Sequence, residues 1–263
     1  MTKKNQNMIG CIIQARMGSS RLPGKTLIKL NQYRTTLDFV VNQLSFSALL
    51  DKIVIATTNL EQDNIIEANA KTLGIDCFRG SSDDVLDRYY HCAKKFQINT
   101  IVRITSDCPL IDPQIVDQAI RKYQSEDYDY VTNTLSRSYP IGTDVEIFSF
   151  EILEKTWQKA ILPSEREHVT LFIRNKKLNF KLGNLKNSKN LGHLRWTLDR
   201  VEDLNLIRKI VVKINKNPIL MSDILNLFSL EPELIKINEH ITQNEGMLKS
   251  LKKDDEFQNL ESD

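Results

Sequence analysis

Short apolar runs that alternate with helical patterns constrain the fold of this chain more than any other feature of its sequence. Four such runs, most of them rich in β-branched residues, occupy residues 8–13, 52–57, 75–78 and 100–105. Runs of this length and composition are typical of strands that are buried on both faces of a sheet. Helical patterns over residues 61–73 and 85–96 separate the later runs. The alternation predicts an α/β fold, with a mostly parallel sheet and helices on both of its faces.

The first predicted strand leads directly into a cationic loop. The loop contains Ala15, Arg16, Gly18, Ser19, Ser20, Arg21, Pro23, Gly24 and Lys25. Small residues let backbone amides approach an anion closely, and the three cations add positive charge, so the loop is predicted to bind phosphate groups. The alternative is a strand followed by a solvated basic turn. The Walker motif is not met, because Pro23 stands where its second glycine would fall.

A carboxylate follows the fourth apolar run. Asp107 lies on a turn that Pro109 and Pro113 restrict, and the carboxyl ends of parallel strands meet at one edge of a sheet. Asp107 is therefore predicted to lie near the cationic loop and to bind the magnesium that accompanies a nucleoside triphosphate. The alternative is that Asp107 only caps a turn. For Asp112, which directly precedes Pro113, a helix cap is the favoured interpretation.

Two segments in the middle of the chain carry charged residues in less specific patterns. In residues 139–148 (YPIGTDVEIF), Asp144 and Glu146 alternate with apolar residues, which predicts that both carboxylates lie on one face of a strand. A half-solvated strand face explains this alternation equally well. In residues 164–170 (SEREHVT), Arg166 and His168 lie beside two glutamates at the predicted start of a helix. They are candidates for a binding site, although a lone histidine is usually structural.

The last motif is LRWTLDRVEDL, at residues 194–204. It is predicted to contain an apolar strand that ends at Leu198 and a helix that buries its apolar side. Asp199, on the turn between them, is a candidate second metal ligand or a helix cap, and Asp203 lies one helical turn further along.

Composition narrows the class of protein. With 263 residues, of which 41% are hydrophobic, the chain can form one large α/β domain. A net charge of +2 argues against a general nucleic-acid-binding protein. The first apolar run is too short for a signal peptide or a membrane span, and the four cysteines lack a CxxC pair, so we expect a cytoplasmic enzyme without membrane partners. The strand and helix rhythm ends near residue 215. We therefore predict a catalytic domain at residues 1–214 and an appendage at 215–263, with a short helix over 222–228 and an end, 249–263, that frays.

Taken in order, these motifs resemble those of a known enzyme family. The loop (ARMGSSRLPGK), SDCPLIDP, PIGTDVEIFSFEILE, REHVT and WTLDRVEDL are similar to segments of the cytidylyltransferases that make CMP-linked keto-sugar acids, above all to their spore-coat polysaccharide branch. The resemblance covers about residues 8–210. One departure is that Leu171 and Phe172 follow REHVT, where the family commonly has proline and an aromatic residue.

The resemblance implies a three-layer α/β/α Rossmann-like nucleotidyltransferase fold and a CTP-dependent transfer of CMP to a sugar or sugar-acid acceptor, with release of pyrophosphate. It implies Mg²⁺ as the cofactor, held by Asp107 and Asp199, and catalytic roles for Arg16, Lys25 and Asp107. The nucleotide-binding residues implied are Ala15, Arg16, Gly18, Ser19, Ser20, Arg21, Lys25, Arg79, Ser82 and Asp107. The acceptor-binding residues implied are Asp144, Glu146, Arg166 and His168.

Two other functions share much of this pattern. One is a nucleotidyltransferase that uses another nucleoside triphosphate on a sugar phosphate, and the other is a nucleotide-binding protein without activity. Retention of both aspartates together with Lys25 argues against the second. The motifs leave the acceptor unidentified, and they leave open whether the chain forms a homodimer.

Overall fold

The computed structural model describes residues 7–242 and 245–260 and contains one seven-stranded sheet. Its strands are β1 (Ile9–Gln14), β2 (Lys52–Thr58), β3 (Asp76–Gly80), β4 (Thr100–Thr105), β5 (Tyr130–Thr132), β6 (Glu146–Ser149) and β7 (Leu182–Asn184). The order across the sheet is β3-β2-β1-β4-β6-β5-β7. Only β6 runs antiparallel to its neighbours, β4 and β5. The four predicted strands are present, and the predicted mostly parallel α/β fold is confirmed.

Helices cover both faces of this sheet. They are α1 (Thr36–Leu44), α2 (Asn64–Thr72), α3 (Val85–Lys95), α4 (Pro113–Ser125), α5 (Phe150–Lys159), α6 (Pro163–His168), α7 (Val201–Lys213), α8 (Met221–Leu230) and α9 (Glu245–Leu260). Alternate residues of β1 pack against different layers, because side chains along a strand point to opposite faces. Ile13 packs with α1 and α4, whereas Ile12 packs with α3 and α5. The result is a three-layer α/β/α arrangement.

A third apolar cluster surrounds the fully buried Trp196 and includes residues of α7 and α8. Buried Gln43 ties this region to the main layers, because its amide nitrogen donates to the carbonyl oxygen of Ile219 at 2.6 Å and its amide oxygen accepts from the same residue at 2.9 Å. The chain beyond residue 214 therefore contributes to the core. The division at that residue stays a prediction.

The prediction of a strand that ends at Leu198 is wrong. Residues 194–198 are extended but form only one isolated bridge, between Arg195 and Ile141. The reason is that their partners are loops, which offer single hydrogen-bonding groups and no strand edge. Trp196 N–H donates to the Ile141 carbonyl at 2.9 Å, and Leu198 N–H donates to the Asp107 carbonyl at 2.8 Å.

The chain after α7 is more helical than its sequence indicates. The helix expected over 222–228 is α8, and α9 occupies most of the segment that was expected to fray. Residues 261–263 of that segment lie outside the described part of the chain. Among the described residues, no helix has the length and apolar character needed to cross a membrane.

Candidate active site

Two adjoining cavities lie at the carboxyl ends of β1 and β4. The smaller, of about 410 Å³, is lined mainly by the loop that follows β1. The larger, of about 590 Å³, is lined by residues that follow β4, by the start of β6 and by residues 195–200. Both cavities share the side chains of Arg21, Arg103, Thr105, Asp107 and His168. A ligand in one cavity would therefore lie next to a ligand in the other.

The loop of the smaller cavity is held at both of its ends. Met17 N–H donates to the buried carboxylate of Asp63 at 2.7 Å, and Thr26 Oγ1 donates to the Arg16 carbonyl at 2.9 Å. Gly24 has a φ of 68°, in the left-handed region that glycine adopts without strain. Arg16 is exposed, and its guanidinium has no hydrogen-bond partner among the described residues. The loop thus presents a cation that the rest of the described chain leaves available.

Eight of the ten predicted nucleotide-binding residues line the smaller cavity. They are Ala15, Arg16, Gly18, Ser19, Ser20, Arg21, Lys25 and Asp107. Arg79 and Ser82 line neither cavity. The Arg79 guanidinium instead donates to the carbonyls of Thr58, at 3.0 Å, and Leu60, at 2.8 Å, and pairs with Glu67. The Arg79 guanidinium is therefore occupied by β2, by the loop that follows it and by α2.

Lys25 joins the two predicted metal ligands. Its Nζ lies 2.6 Å from Asp107 Oδ2 and 2.6 Å from Asp199 Oδ1. Burial would lower the pKa of Lys25, but the two carboxylates outweigh burial and raise it. Burial would likewise raise the pKa of Asp199, and Lys25 and Arg21 outweigh it and bring that pKa down to about 2. Lys25 and Asp199 are therefore both ionised at neutral pH.

The backbone brings the two aspartates together from distant parts of the chain. Leu198 N–H and Thr197 Oγ1 both donate to the Asp107 carbonyl, at 2.8 and 3.1 Å. The carboxylate of Asp203, which is fully buried, accepts from Asp199 N–H at 2.9 Å. Arg195 holds Asp203 in turn, with two hydrogen bonds of 2.8 and 2.9 Å. Asp203 thus supports the turn that carries Asp199.

The aspartate pair fits a divalent cation. Two carboxylates converge on one cationic group, and magnesium prefers oxygen ligands, of which proteins usually supply one or two as carboxylates. The described residues contain no cluster of three or more histidine, cysteine, aspartate or glutamate side chains that could hold a metal. An ion at this position would complete its coordination with oxygens of water or of a bound phosphate.

The larger cavity is strongly cationic. Six arginines line it, namely Arg21, Arg103, Arg137, Arg174, Arg195 and Arg200. They outnumber the four carboxylates in its wall, which are Asp107, Asp144, Glu146 and Asp199. Asp144 forms a bidentate ion pair with Arg137, whose Nη1 and Nη2 donate to Oδ1 and Oδ2 at 2.6 and 2.7 Å. By contrast, the Arg174 guanidinium has neither a hydrogen bond nor an ion pair within residues 7–242 and 245–260. An anionic ligand is therefore the natural occupant.

Glu146 belongs to a buried network in the wall of this cavity. It pairs with Arg103 and accepts from Tyr130 Oη at 2.5 Å and from Thr170 Oγ1 at 2.6 Å. Burial would raise the pKa of Glu146, but Arg103 and the two hydroxyl groups outweigh burial and lower it. The carboxylate is thus ionised and already has three partners in the protein.

The two candidates of the REHVT segment lie in different surroundings. Arg166 lines neither cavity, and its guanidinium donates to Asp84, at 2.8 Å, and to the Trp157 carbonyl, at 2.7 Å. His168 lines both cavities. The segment ends a helix instead of beginning one, because Pro163 starts α6 and Val169, with a φ of 63°, cannot continue it.

Sequence reasoning missed a second buried cation beside the loop. Arg88 is only 1% exposed and lines the smaller cavity. Its Nη1 donates to the Ser81 carbonyl at 2.7 Å, and its buried Nε has no partner among the described residues. Burial lowers the pKa of Arg88. The signal that could have found it is its position one helical turn after Val85, on the apolar stripe of a helix.

Comparison with known proteins shows which family this chain resembles in sequence and structure. Residues 10–241 match the family model of the cytidylyltransferases. The chain is 34% identical to the spore coat polysaccharide biosynthesis protein SpsF of Bacillus subtilis, over 86% of this chain and 96% of that protein. It is 27% identical to the 3-deoxy-manno-octulosonate cytidylyltransferase of Chromohalobacter salexigens, over 60% of this chain and 63% of that one. A solved cytidylyltransferase structure from Leptospira borgpetersenii superposes with a TM-score of 0.84 at 33% identity, over 91% of this chain and 100% of that one.

Proposed function

Since this chain belongs to the cytidylyltransferase family, we propose that it transfers CMP from CTP to a sugar or sugar-acid acceptor and releases pyrophosphate. The observation that carries the proposal is the junction of the two cavities, where Lys25 joins Asp107 to Asp199. Group transfer between two bound substrates needs such adjoining sites, because the reacting atoms must be held close together and in line. The name of the spore coat polysaccharide biosynthesis protein supports a product that serves polysaccharide synthesis, and the name of the 3-deoxy-manno-octulosonate cytidylyltransferase supports a keto-sugar acid as the acceptor.

The smaller cavity is proposed to hold the nucleotide. Its loop from Ala15 to Arg21 would take the triphosphate, with the available guanidinium of Arg16 against it. As an acceptor oxygen attacks the α-phosphorus, charge builds on the phosphoryl oxygens and on the leaving pyrophosphate. Arg16 and Lys25 are proposed to stabilise that charge without a large rearrangement. Arg88 joins this proposed set, because it lines the same cavity and its buried Nε has no hydrogen-bond partner in the described part of the chain.

Asp107 and Asp199 are proposed to hold Mg²⁺. When bound, the ion supplies positive charge at the phosphoryl oxygens and lowers the pKa of an acceptor hydroxyl group. In the structure, the ammonium of Lys25 satisfies both carboxylates. On nucleotide binding, we propose that Lys25 exchanges one of these contacts for a phosphate oxygen, which lies in the same cavity. Arg195 and Asp203 then keep Asp199 in position.

The larger cavity is proposed to hold the acceptor. Arg174 is the residue proposed to bind its acid group, because its guanidinium has no hydrogen-bond partner in the described chain. Asp144 and His168 are proposed to contact the sugar hydroxyl groups. Glu146 is proposed to hold Arg103 in the cavity wall, since its own oxygens are already occupied. The more distant Arg79, Ser82 and Arg166 are left out of the proposed site.

The test is pyrophosphate release by the purified chain with magnesium. CTP, UTP, ATP and GTP are compared side by side, each with a panel of keto-sugar acids and a panel of sugar phosphates. The proposal expects turnover with CTP to exceed turnover with the other nucleotides by at least about tenfold. It also expects that an acid group on the acceptor is required.

Two results would contradict the proposal. Preference for another nucleotide with a sugar phosphate would make the chain a nucleotidyltransferase of different specificity. Nucleotide binding by calorimetry, without pyrophosphate release for any acceptor in either panel, would make it a binding protein.

A further inference from the structure

The helix α9 lies beyond residues 10–241, which match the family model, and yet it reaches the candidate active site. We propose that Ser250 on α9 is a positioning residue, which fixes the side chains of His168 and Glu167 at the junction of the two cavities. His168 lines both cavities, and Glu167 lines the smaller one. The kinetic part of this proposal rests on the proposed function, whereas the structural part does not.

The hydroxyl group of Ser250 connects the two side chains. Ser250 is 2% exposed, and its Oγ lies 2.9 Å from His168 Nε2 and 2.8 Å from Glu167 Oε2. Lys253, one turn further along α9, lies 3.5 Å from the same Glu167 oxygen. A helix outside the matched region thus supplies both a hydroxyl group and a cation to the wall of the site.

The direction of the hydrogen bond between Ser250 and Glu167 indicates the tautomer of His168. Burial would raise the pKa of Glu167, but Ser250 and Lys253 outweigh burial and lower it, so the carboxylate is ionised and only accepts. In the contact with Glu167, the Ser250 hydroxyl group is therefore the donor. The Ser250 oxygen is left to accept from His168, so Nε2 carries a hydrogen. Nδ1 is then the ring nitrogen that is left for a ligand, and burial together with Arg103 lowers the pKa of His168 and keeps the ring neutral.

A second contact anchors α9 to the opposite end of α6. Asp254 is 7% exposed and accepts from Ser164 N–H at 2.8 Å and from Ser164 Oγ at 2.5 Å. Ser250 and Asp254 are four residues apart, as are their partners His168 and Ser164, so each pair shares one side of its helix. The two helices run antiparallel along this contact. Asp254 therefore sets the register that places Ser250 next to His168.

Loss of the Ser250 hydroxyl group should affect the site without unfolding it. His168 would lose the acceptor that selects its tautomer. Glu167 would lose a hydrogen bond that holds its negative charge toward α9, in a cavity proposed to receive a triphosphate. We expect Ser250→Ala to raise the KM for CTP and to lower kcat/KM about tenfold. Ser250→Thr, which keeps the hydroxyl group, should restore most of the loss.

The deciding measurement is nitrogen NMR of the full chain with ¹⁵N-labelled histidine. The chain has four histidines, and the His168 signals are assigned by their loss in His168→Gln. The wild type is expected to carry its ring hydrogen on Nε2, and Ser250→Ala is expected to show a mixture of both tautomers. Asp254→Asn should shift the same signals by displacing α9. The matched controls, Ser229→Ala on the exposed surface of α8 and Asp255→Asn on the exposed side of α9, should leave them unchanged.

Two outcomes would overturn the inference. One is a wild-type His168 with its hydrogen on Nδ1. The other is a Ser250→Ala variant whose His168 tautomer is unchanged. Because neither measurement needs turnover, both decide the inference even if no acceptor is found for the enzyme. If the tautomer changes as expected while the purified chain shows no transfer to any acceptor, the proposed function fails and the positioning role stands.

Discussion

The two cavities are assembled in different ways. The smaller one is lined largely by a single loop, residues 14–26, whereas the larger one draws on Arg21 of that loop and on several segments between residues 103 and 242. Of the three loop cations, Arg16 has no hydrogen-bond partner in the described chain, whereas Arg21 and Lys25 pair with Asp199 and Asp107. Most arginines of the larger cavity are likewise paired with acids, as Arg137 is with Asp144. In either cavity, a cation without an acid partner in the described chain, such as Arg16 or Arg174, therefore indicates ligand binding more directly than a cation that an acid already pairs.

The largest expected effect tests the junction that both cavities share. Asp107→Asn and Asp199→Asn are each expected to lower kcat on the order of a thousandfold, because each removes a ligand of the proposed magnesium. Folding should be retained, since the amide keeps the shape of the side chain. The measurement is steady-state kinetics at saturating CTP and magnesium, with circular dichroism to confirm the fold. Activity within about threefold of wild type for both variants would remove the metal assignment.

The second prediction separates two cations of the loop. Lys25→Ala is expected to lower kcat about a hundredfold, because its ammonium stabilises charge that develops in the transition state. Arg21→Ala is expected mainly to raise the KM for CTP, by about tenfold, if its guanidinium only binds the triphosphate. Initial rates over a range of CTP concentrations give both constants. If Arg21→Ala lowered kcat and Lys25→Ala raised only KM, the two roles would be exchanged.

The third prediction compares an unpaired with a paired arginine. Arg174→Ala is expected to weaken acceptor binding by about 2 kcal/mol, which is the value for a charge-assisted hydrogen bond in a partly buried cavity. CTP affinity should stay unchanged. Calorimetry, with CTP and magnesium added first and the acceptor second, measures both.

Arg166→Ala is the matched variant. Arg166 holds Asp84 and the Trp157 carbonyl, so its loss is expected to lower the free energy of unfolding and to leave the acceptor constant near that of the wild type. If Arg166→Ala weakened acceptor binding and Arg174→Ala did not, the contrast between paired and unpaired arginines would fail.

Much of this architecture could be predicted from the sequence because its signals are local. The strands that form β1, β2 and β4 are short apolar runs, and the loop after β1 is one contiguous stretch of small and cationic residues. The rule that parallel strands end at one edge of a sheet also places Asp107 near this loop. Asp199 follows no strand, and hydrogen bonds from Leu198 N–H and Thr197 Oγ1 to the Asp107 carbonyl bring it there. The sequence could not show which charged side chains would pair with each other within the protein. The acids that occupy Arg79 and Arg166, namely Glu67 and Asp84, are brought to them only by tertiary packing.

The region after residue 214 also forms contacts that the sequence does not reveal. Its composition indicated only an appendage. Ser250 and Asp254 have no motif around them, and little distinguishes them from surface residues of a charged helix. Their burial arises from the packing of α9 on α6, between segments about eighty residues apart. The spacing of residues along a helix can indicate which side of the helix is buried, but it does not identify the helix that packs against that side.

The smallest expected effect concerns how firmly the junction is held in the absence of substrates. The pKa of Asp199 falls from its ordinary value of 3.8 to about 2 in the folded protein. Since the folded pKa is the lower one, the ionised carboxylate stabilises the fold fully above about pH 4 and loses that contribution as the pH falls toward 2. Because the side chain is 20% exposed, solvent screening reduces the contribution to about 1–2 kcal/mol.

Denaturant unfolding of the wild type and of Asp199→Asn, at several pH values between 2 and 6, measures this contribution. The difference in free energy of unfolding between the two proteins should shrink toward pH 2, whereas the exposed control Asp255→Asn should show a difference near zero at every pH. A difference that stayed constant across this range would mean that Lys25 and Arg21 do not stabilise the charge of Asp199. The junction would then be held by its backbone hydrogen bonds alone, and the ion pairs that join the loop of the smaller cavity to the wall of the larger one would contribute nothing to stability.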